Sequence, residues 1–181
     1  MSKRFSGVVA GLIVLVLFTI AGLLLWTDVN VFRETSTHSP IEKKAPDVSL
    51  ISMSGKPVRL SSFEGRPLWL NFFATWCTPC KAEMPDVEKQ YRRLHKRGLV
   101  VLGIDQQETA ALVADFSRRF DLSFPRVIDA GKAAEAYGVH AIPTSVFIDR
   151  AGIVRAVHIG ALSSAQMDAE LAKIMGTTGS S

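Results

Sequence analysis

Two cysteines, the only ones among 181 residues, lie three positions apart in the segment Trp76-Cys77-Thr78-Pro79-Cys80. The segment follows an apolar run and opens a stretch whose apolar residues have helical spacing. Two thiols at this spacing can close and reopen a disulfide, whereas so short a closed loop limits the unfolded chain too little to stabilise a fold much. The pair therefore indicates redox chemistry, and it requires a fold in which a helix begins directly after a buried strand.

Metal binding is another use of such a cysteine pair. A structural zinc site needs four ligands, and the histidines of the chain are not spaced as ligand pairs: His38, His95, His140 and His158. We therefore expect no zinc site, and dithiol chemistry calls for no cofactor. Exposed thiolates also bind Cu(I), so a copper-handling protein stays open as an alternative.

An uncharged apolar segment lies near the N-terminus, from residue 7 to residue 26. As a helix it would span about 30 Å, the thickness of the hydrocarbon core of a bilayer. Lys3 and Arg4 precede it and no basic residue follows before Arg33, so the positive-inside rule places residues 1–6 in the cytoplasm. The pattern predicts a single-pass anchor in the cell membrane, with the rest of the chain periplasmic or otherwise extracytoplasmic. A cleaved signal peptide is the alternative.

The remaining chain divides into three parts by composition. Residues 27–44 are polar and contain a Ser-Pro step, as expected for a linker. We expect a globular domain over residues 45–176. Residues 177–181 are small and polar, and we expect them to be disordered.

The charge of the chain is modest, at +4. Its one basic cluster lies at the end of a predicted helix, where cations complement the helix dipole: Arg92, Arg93, Lys96 and Arg97. Nucleic-acid binding needs a concentrated basic face, so we expect none.

Hydrophobic periodicity after residue 45 predicts alternating strands and helices. Strands are expected at residues 48–51, 58–60, 68–73, 99–104, 124–128, 144–148 and 153–159. Helices are expected from Thr78 to a cap at Gly98, around residues 112–120, at residues 133–137, and from a cap at Ser163 or Ser164 to Gly176. This order predicts an α/β domain with a central mixed sheet covered on both faces and an N-terminal hairpin.

The stretch Phe72-Phe73-Ala74-Thr75-Trp76-Cys77-Thr78-Pro79-Cys80, followed further along by Ile142-Pro143-Thr144, resembles the active-site motifs of thioredoxin-fold proteins. The chain is more closely similar to the membrane-anchored thiol–disulfide oxidoreductases of the TlpA/ResA type, over residues 44–175. Cys80-Lys81-Ala82-Glu83-Met84-Pro85 belongs to this similarity. The segment between the cysteines and Pro143 is longer than in plain thioredoxin, which resembles the strand–helix insertion of this subfamily. The resemblance implies a three-layer thioredoxin-like fold.

The resemblance also implies a role for each residue of the motifs. Cys77 is expected to be the exposed nucleophile, because free N–H groups at a helix N-terminus favour a thiolate. Cys80, one turn into the helix, is expected to be the buried thiol that resolves the mixed disulfide. The side chains expected to contact the substrate are Trp76, Thr78 and Pro79. Pro143 is expected to be cis beside the active cysteine, which leaves the backbone of Ile142 free to pair with a partner peptide.

Asn71 departs from the plain thioredoxin pattern, in which a buried Asp six residues before the first Cys relays protons for the buried thiol. An Asn side chain does not titrate. Glu83 lies three residues after Cys80 on the same helical face and resembles the functional Glu of ResA-type proteins, so we expect it to replace the Asp. Burial would raise its pKa toward the range useful for proton transfer. A solvated Glu in the first turns of a helix is the alternative.

These features together predict an extracytoplasmic enzyme that reduces protein disulfides through Cys77 and Cys80. Reduction is favoured over oxidation because Thr78 and Pro79 place no charge between the cysteines, unlike the oxidising DsbA-type proteins. The resemblance implies electron supply by a membrane thiol transporter of the DsbD or CcdA type. It also suggests apocytochromes c, in cytochrome c maturation, as substrates. A peroxide-reducing redoxin, with Cys77 passing through sulfenic acid, is a further alternative.

Overall fold

The computed structural model describes residues 15, 17–20 and 41–176. Residues 15 and 17–20 are helical with exposed side chains, and we describe them separately from residues 41–176. Within these described parts, no helix is long and apolar enough to cross a membrane. Most of the predicted anchor at residues 7–26, most of the predicted linker and the predicted tail at residues 177–181 lie outside the described residues.

Within residues 41–176, seven strands form one mixed sheet in the order β2-β1-β5-β4-β3-β6-β7. Their bounds are β1 Ser49–Ser52, β2 Pro57–Arg59, β3 Leu68–Phe73, β4 Val100–Gln106, β5 Arg126–Asp129, β6 Thr144–Ile148 and β7 Val154–Ile159. Strands β3, β4 and β5 run parallel to one another, whereas β1, β2, β6 and β7 pair antiparallel with their neighbours. The predicted mixed sheet and the hairpin of β1 and β2 are confirmed.

Four α-helices lie in the same described range: α1 Thr78–Leu94, α2 Ala110–Arg119, α3 Lys132–Tyr137 and α4 Ser164–Met175. Helix α1 passes into a 3₁₀ turn that ends at Gly98, whose φ of 98° suits a residue without a side chain. Helix α4 starts at a capping box in which Ser163 and Gln166 bind each other's backbone N–H groups. Of the two serines predicted as caps, Ser163 is therefore the one that caps.

Strand β3 is the centre of the fold, because all six of its residues are buried. Alternate side chains belong to two apolar clusters, one on each face of the sheet. The first cluster takes Trp69 and Phe73 together with side chains of α1, α2 and α4. The second takes Leu70 and Phe72 together with α3 and the N-terminal hairpin. The sheet is thus covered on both faces, as predicted.

Several predicted strands differ from the structure by one or two residues at an end, and the neighbouring contacts explain two of these differences. The second strand ends at Arg59 rather than at Leu60, because Leu60 begins a short 3₁₀ helix, Leu60–Phe63. Strand β4 runs on to Gln106, two residues beyond the predicted end, because it pairs with β5 as far as Asp129. This longer β4 brings residues that follow it close to the start of α1.

Candidate active site

The turn between β3 and α1 holds the two cysteines. Strand β3 ends at Phe73, and the N–H of Cys77 donates to the carbonyl of Ala74 at 3.2 Å. Cys77 is the N-cap of α1, and its Sγ accepts the N–H of Cys80 at 3.2 Å. The two cysteines are joined by a disulfide. A sulfur at this point faces the free N–H groups of the helix, which favour negative charge.

The expectation that Cys77 is exposed is wrong for the disulfide form. Its relative exposure is 4%, against 0% for Cys80, and it belongs to the apolar cluster that includes Phe73 and Met84. The neighbouring Trp76 is 66% exposed, and Thr78 and Pro79 are exposed as well. A partner protein would therefore meet the three predicted contact side chains around a disulfide that barely reaches the surface.

The peptide bond between Ile142 and Pro143 is cis, as the resemblance implies. Strand β6 begins directly after it, and Thr144 pairs with Phe72 in β3. Pro143 therefore lies at the end of the sheet from which the chain leaves β3 toward Cys77. Among residues 41–176, no group hydrogen-bonds to the N–H or C=O of Ile142, and its side chain is half-buried against the core.

Glu83 is buried under the second turn of α1, with 3% relative exposure. Its Oε1 accepts a hydrogen bond from the Asn71 amide at 2.8 Å, and its Oε2 accepts the N–H of Leu162 at 2.9 Å. Burial raises the pKa of Glu83, and these two hydrogen bonds offset the rise only in part. The alternative of a solvated Glu is excluded, and the hydrogen bond from Asn71 orients the Glu83 carboxyl group.

A chain of polar groups continues from Asn71 into the core. The Ser145 hydroxyl accepts hydrogen bonds from the Trp69 indole at 2.9 Å and from the Asn71 amide at 3.3 Å. All three side chains are fully or almost fully buried. The Oδ1 atom of Asn71 is buried and has no hydrogen-bond partner among the described residues. Both hydrogens of the Asn71 NH2 group are thus used, by Glu83 and by Ser145, and these bonds hold the amide in this orientation.

A second acidic group, which was not predicted from the sequence, binds the turn just before the cysteines. Glu108 follows β4, and its carboxylate accepts both the N–H and the hydroxyl of Thr75. Asp105, at the end of β4, accepts the N–H of Glu108 at 2.9 Å. The signal in the sequence is an Asp-x-x-Glu spacing at the end of a buried strand, and it becomes informative only once β4 is known to lie beside β3.

The pKa values of these two acids shift in opposite directions. Burial and the neighbouring Glu108 carboxylate raise the pKa of Asp105 to about 7. Burial also acts to raise the pKa of Glu108, but the hydrogen bonds from Thr75, the neighbouring Asp105 carboxyl group and the charge of Lys81 outweigh it, so this pKa lies below its usual value. No group of three or more His, Cys, Asp or Glu side chains suited to a metal ion occurs within the described part of the chain.

Comparison with known proteins identifies the family. The model of the AhpC/TSA family matches residues 41–157, a segment that contains the disulfide and the cis proline. The chain belongs to the AhpC/TSA family. This AhpC/TSA protein is 34% identical over 175 residues to the thiol-disulfide oxidoreductase ResA of Geobacillus kaustophilus. The aligned residues make up 96% of this chain and 99% of that protein. ResA of Bacillus cereus is 33% identical over 162 residues, or 89% of this chain and 94% of that protein.

A solved structure shares the fold of this chain. A thiol:disulfide interchange protein of the thioredoxin family from Chlorobium tepidum superposes with a TM-score of 0.67 at 30% identity. The superposition covers 74% of this chain and 96% of that one. This AhpC/TSA protein is therefore a thiol–disulfide oxidoreductase with a thioredoxin-like fold, and Cys77 and Cys80 form its Cys-x-x-Cys pair.

Proposed function

We propose that the protein is a membrane-tethered reductase of protein disulfides that works outside the cytoplasm. The observation that carries the proposal is the Cys77–Cys80 disulfide at the N-terminus of α1, with only the uncharged Thr78 and Pro79 between the sulfurs. A strongly stabilised thiolate makes a dithiol oxidising, and a segment without charge supplies less stabilisation. The helix N-terminus activates the sulfur of Cys77 by favouring its thiolate. Because this thiolate is stabilised only modestly, the dithiol favours giving electrons to a substrate over taking them.

The proposed cycle consumes one dithiol per substrate disulfide. The thiolate of Cys77 attacks one sulfur of the substrate, the substrate disulfide breaks, and a mixed disulfide forms. Cys80 then loses its proton and attacks the Cys77 sulfur, which releases the substrate as a dithiol and leaves the Cys77–Cys80 disulfide. Two electrons pass to the substrate, whose two sulfurs leave as thiolates and take up one proton that Cys80 gave up and one proton from solvent. We propose that Glu83, buried one turn after Cys80, takes the proton of Cys80 in the second step.

We propose that the substrate binds as an extended peptide across the cis proline. Three features support this surface: the exposed ring of Trp76, the exposed Thr78-Pro79 step and the unpaired backbone of Ile142. A peptide strand could form main-chain hydrogen bonds with Ile142 while its cysteine faces Cys77. Pairing through the main chain accepts many sequences, so specificity would come from side-chain contacts around Trp76.

A reductase outside the cytoplasm needs a supply of electrons. We propose that residues 7–26 anchor the chain in the cell membrane and that a thiol transporter of the DsbD or CcdA type re-reduces the disulfide. Apocytochromes c are the proposed substrates, because their haem-binding cysteines must be reduced before haem attachment. The anchor is tested by the size and location of the mature protein: loss of about 2 kDa together with release into the soluble fraction would show a cleaved signal peptide instead.

The decisive experiment is trapping of the substrate. A Cys80→Ser chain cannot resolve the mixed disulfide, so it should hold its partner covalently through Cys77, and the partner should be released by dithiothreitol. Cys77→Ser is the matched control and should trap nothing, because the remaining thiol is buried. Capture of a protein with a haem-binding Cys-x-x-Cys-His motif would support the proposed substrate, and capture by both variants equally would contradict the assigned roles of the cysteines.

The direction of the reaction and the remaining alternatives have separate tests. A reduction potential near that of DsbA, about −120 mV, would make the protein an oxidant. Rapid turnover of hydroperoxide with sulfenic acid at Cys77 would favour the peroxide-reducing alternative. Tight Cu(I) binding together with negligible disulfide reduction would favour copper handling. We expect none of these results.

A further inference from the structure

Asp105 is a buried acid, and one of its carboxyl oxygens has no hydrogen-bond partner among the described residues. It pairs with Phe73 across the two parallel strands β3 and β4, beside the point where the chain turns toward the cysteines. Its side chain has 0% relative exposure. Oδ1 accepts the N–H of Glu108 at 2.9 Å, but no N–H or O–H group of residues 41–176 donates to the buried Oδ2. An ionised carboxylate with a bare buried oxygen is costly, so this atom requires a proton or a donor.

Glu108 connects this acid to the active-site turn. Its Oε1 accepts the Thr75 hydroxyl at 2.7 Å, and its Oε2 accepts the Thr75 N–H. Thr75 lies two residues before Cys77, inside the turn that the hydrogen bond from Cys77 to Ala74 closes. Both oxygens of Glu108 are thus used to hold the segment that delivers the nucleophilic sulfur to the helix N-terminus.

We propose that Asp105 is a positioning residue for disulfide exchange. Its Oδ2 carries a proton and donates a hydrogen bond to the Glu108 carboxylate, and this bond keeps Glu108 fixed on Thr75. This assignment satisfies the bare oxygen. It also leaves one negative charge on the pair instead of two adjacent buried charges, which would repel each other. The donated hydrogen bond is of the strong, charge-assisted kind.

Around the pair, within residues 41–176, lie one cation, Lys81, and three acids that have partners of their own. Lys81 of α1 lies near Glu108 and favours its ionised form, whereas Glu83 is bound to Asn71 and Leu162. On α2, Asp115 pairs with Arg118 and Arg119. On β5, Asp129 caps α3 by accepting two backbone N–H groups.

Asp105 therefore has Glu108 as its acidic neighbour, and the raised pKa of Asp105, about 7, places loss of the proton near neutral pH. Above that pH the pair carries two charges and the hold on Thr75 weakens.

The direct test follows the Thr75 amide proton and nitrogen by NMR in the full chain with its disulfide intact, where no thiol titrates. In the wild type, the Thr75 resonance should move between pH 5 and 9 with a midpoint near 7, the pKa of Asp105. In Asp105→Asn, which keeps the shape and a donor N–H but does not titrate, the same resonance should stay in its low-pH position. A Thr75 resonance that does not titrate in the wild type, or titrates equally in both, would overturn the proposal.

Exchange kinetics provide the second readout. We compare each variant with the wild type as a ratio of rates toward glutathione disulfide, so that the shared titration of the thiols cancels. The ratio for Asp105→Asn should be near 1 at pH 6 and rise at pH 8.5, because Asn goes on donating where the wild type has lost its proton. Asp105→Ala should be slower by about tenfold at pH 6, since small misplacements of reacting groups cost rates of that order.

Asp129→Asn is the matched control, because Asp129 is an equally buried acid at the end of the neighbouring strand, with no contact to Thr75. Its ratio should not change between pH 6 and pH 8.5. If Asp105→Asn and Asp129→Asn give the same pH-independent ratio, Asp105 is only structural and the proposal fails.

Discussion

Replacement of Glu83 by Gln is the sharpest test of the buried acid beneath the cysteines. Glutamine keeps the size of the side chain, and its carbonyl oxygen can still accept the N–H of Leu162, which Glu83 binds at 2.9 Å. Its amide nitrogen then faces the NH2 group of Asn71, which must turn away to present Oδ1 and so loses its hydrogen bond to Ser145. The NH2 group of Asn71 is left without an acceptor, so we expect a loss of about 1–3 kcal/mol.

Glu83→Ala gives the contrast that makes this magnitude informative. It leaves two buried donors without an acceptor, the Leu162 N–H and the Asn71 amide. Each unsatisfied donor costs about 1–3 kcal/mol, so the alanine variant should lose about 2–6 kcal/mol before any cavity is counted. Urea unfolding of the disulfide form at pH 5 measures both variants. Equal destabilisation by Gln and Ala would refute the hydrogen-bond arrangement inferred for Glu83 and Asn71.

The pH dependence of Glu83→Gln separates proton transfer from packing. The raised pKa of Glu83 means that the folded protein holds this proton more tightly than the unfolded chain. Its contribution to stability is therefore present at low pH and is lost as pH rises through the folded pKa, whereas Gln lacks this loss. If Glu83 takes the proton of Cys80, the alkylation rate of Cys80 in reduced protein should change its pH profile in Glu83→Gln. Identical profiles would remove Glu83 from the mechanism.

Three further predictions address the core, the surface and the second acid. Gly103→Ala should cost about 1–3 kcal/mol and lower Tm, because the new methyl group would lie 2.9 Å from the Phe124 ring; an unchanged Tm would contradict this close packing. Trp76→Ala should lower kcat/KM for protein disulfides severalfold but leave glutathione disulfide reduction nearly unchanged, and equal losses would exclude a role in protein recognition. Because the pKa of Asp105 rises from 3.8 to about 7 on folding, the unfolding free energy should fall by at most about 4 kcal/mol between these pH values. Asp105→Asn should lack this fall in urea unfolding at pH 4 and 8.

The elements of the fold were largely predictable because their signals are local. The apolar run of β3 and the serine at the start of α4 each decide one element within a few residues. Strand order is not local: β5 lies between β1 and β4 in the sheet, although β4 precedes it and β1 lies much earlier in the chain. Pairing of this kind depends on which faces can be covered together, and no single segment encodes it.

The site was predictable where a motif joins neighbouring residues and unpredictable where the fold joins distant ones. Cys77, Cys80 and Pro143 follow from motifs, but the partner of Glu83 is the N–H of Leu162, 79 residues away. The exposure of Cys77 was misjudged for a related reason. A helix N-terminus is usually open to solvent, but here the disulfide-bonded sulfur of Cys77 lies among the apolar side chains of the core, which the position in the sequence does not indicate.

Each cysteine of the active site has its own buried acid nearby. Glu83 lies in the helix that follows Cys80, and it is oriented by the non-titrating Asn71 of β3. Glu108, with Asp105 behind it, holds Thr75 in the turn that precedes Cys77. An Asn in β3 can orient an acid of α1 without adding a charge of its own, and this leaves the face of the sheet below the disulfide able to bury a second acid in β4. The two acids share no hydrogen-bond partner, and burial raises the pKa of each within its own set of contacts.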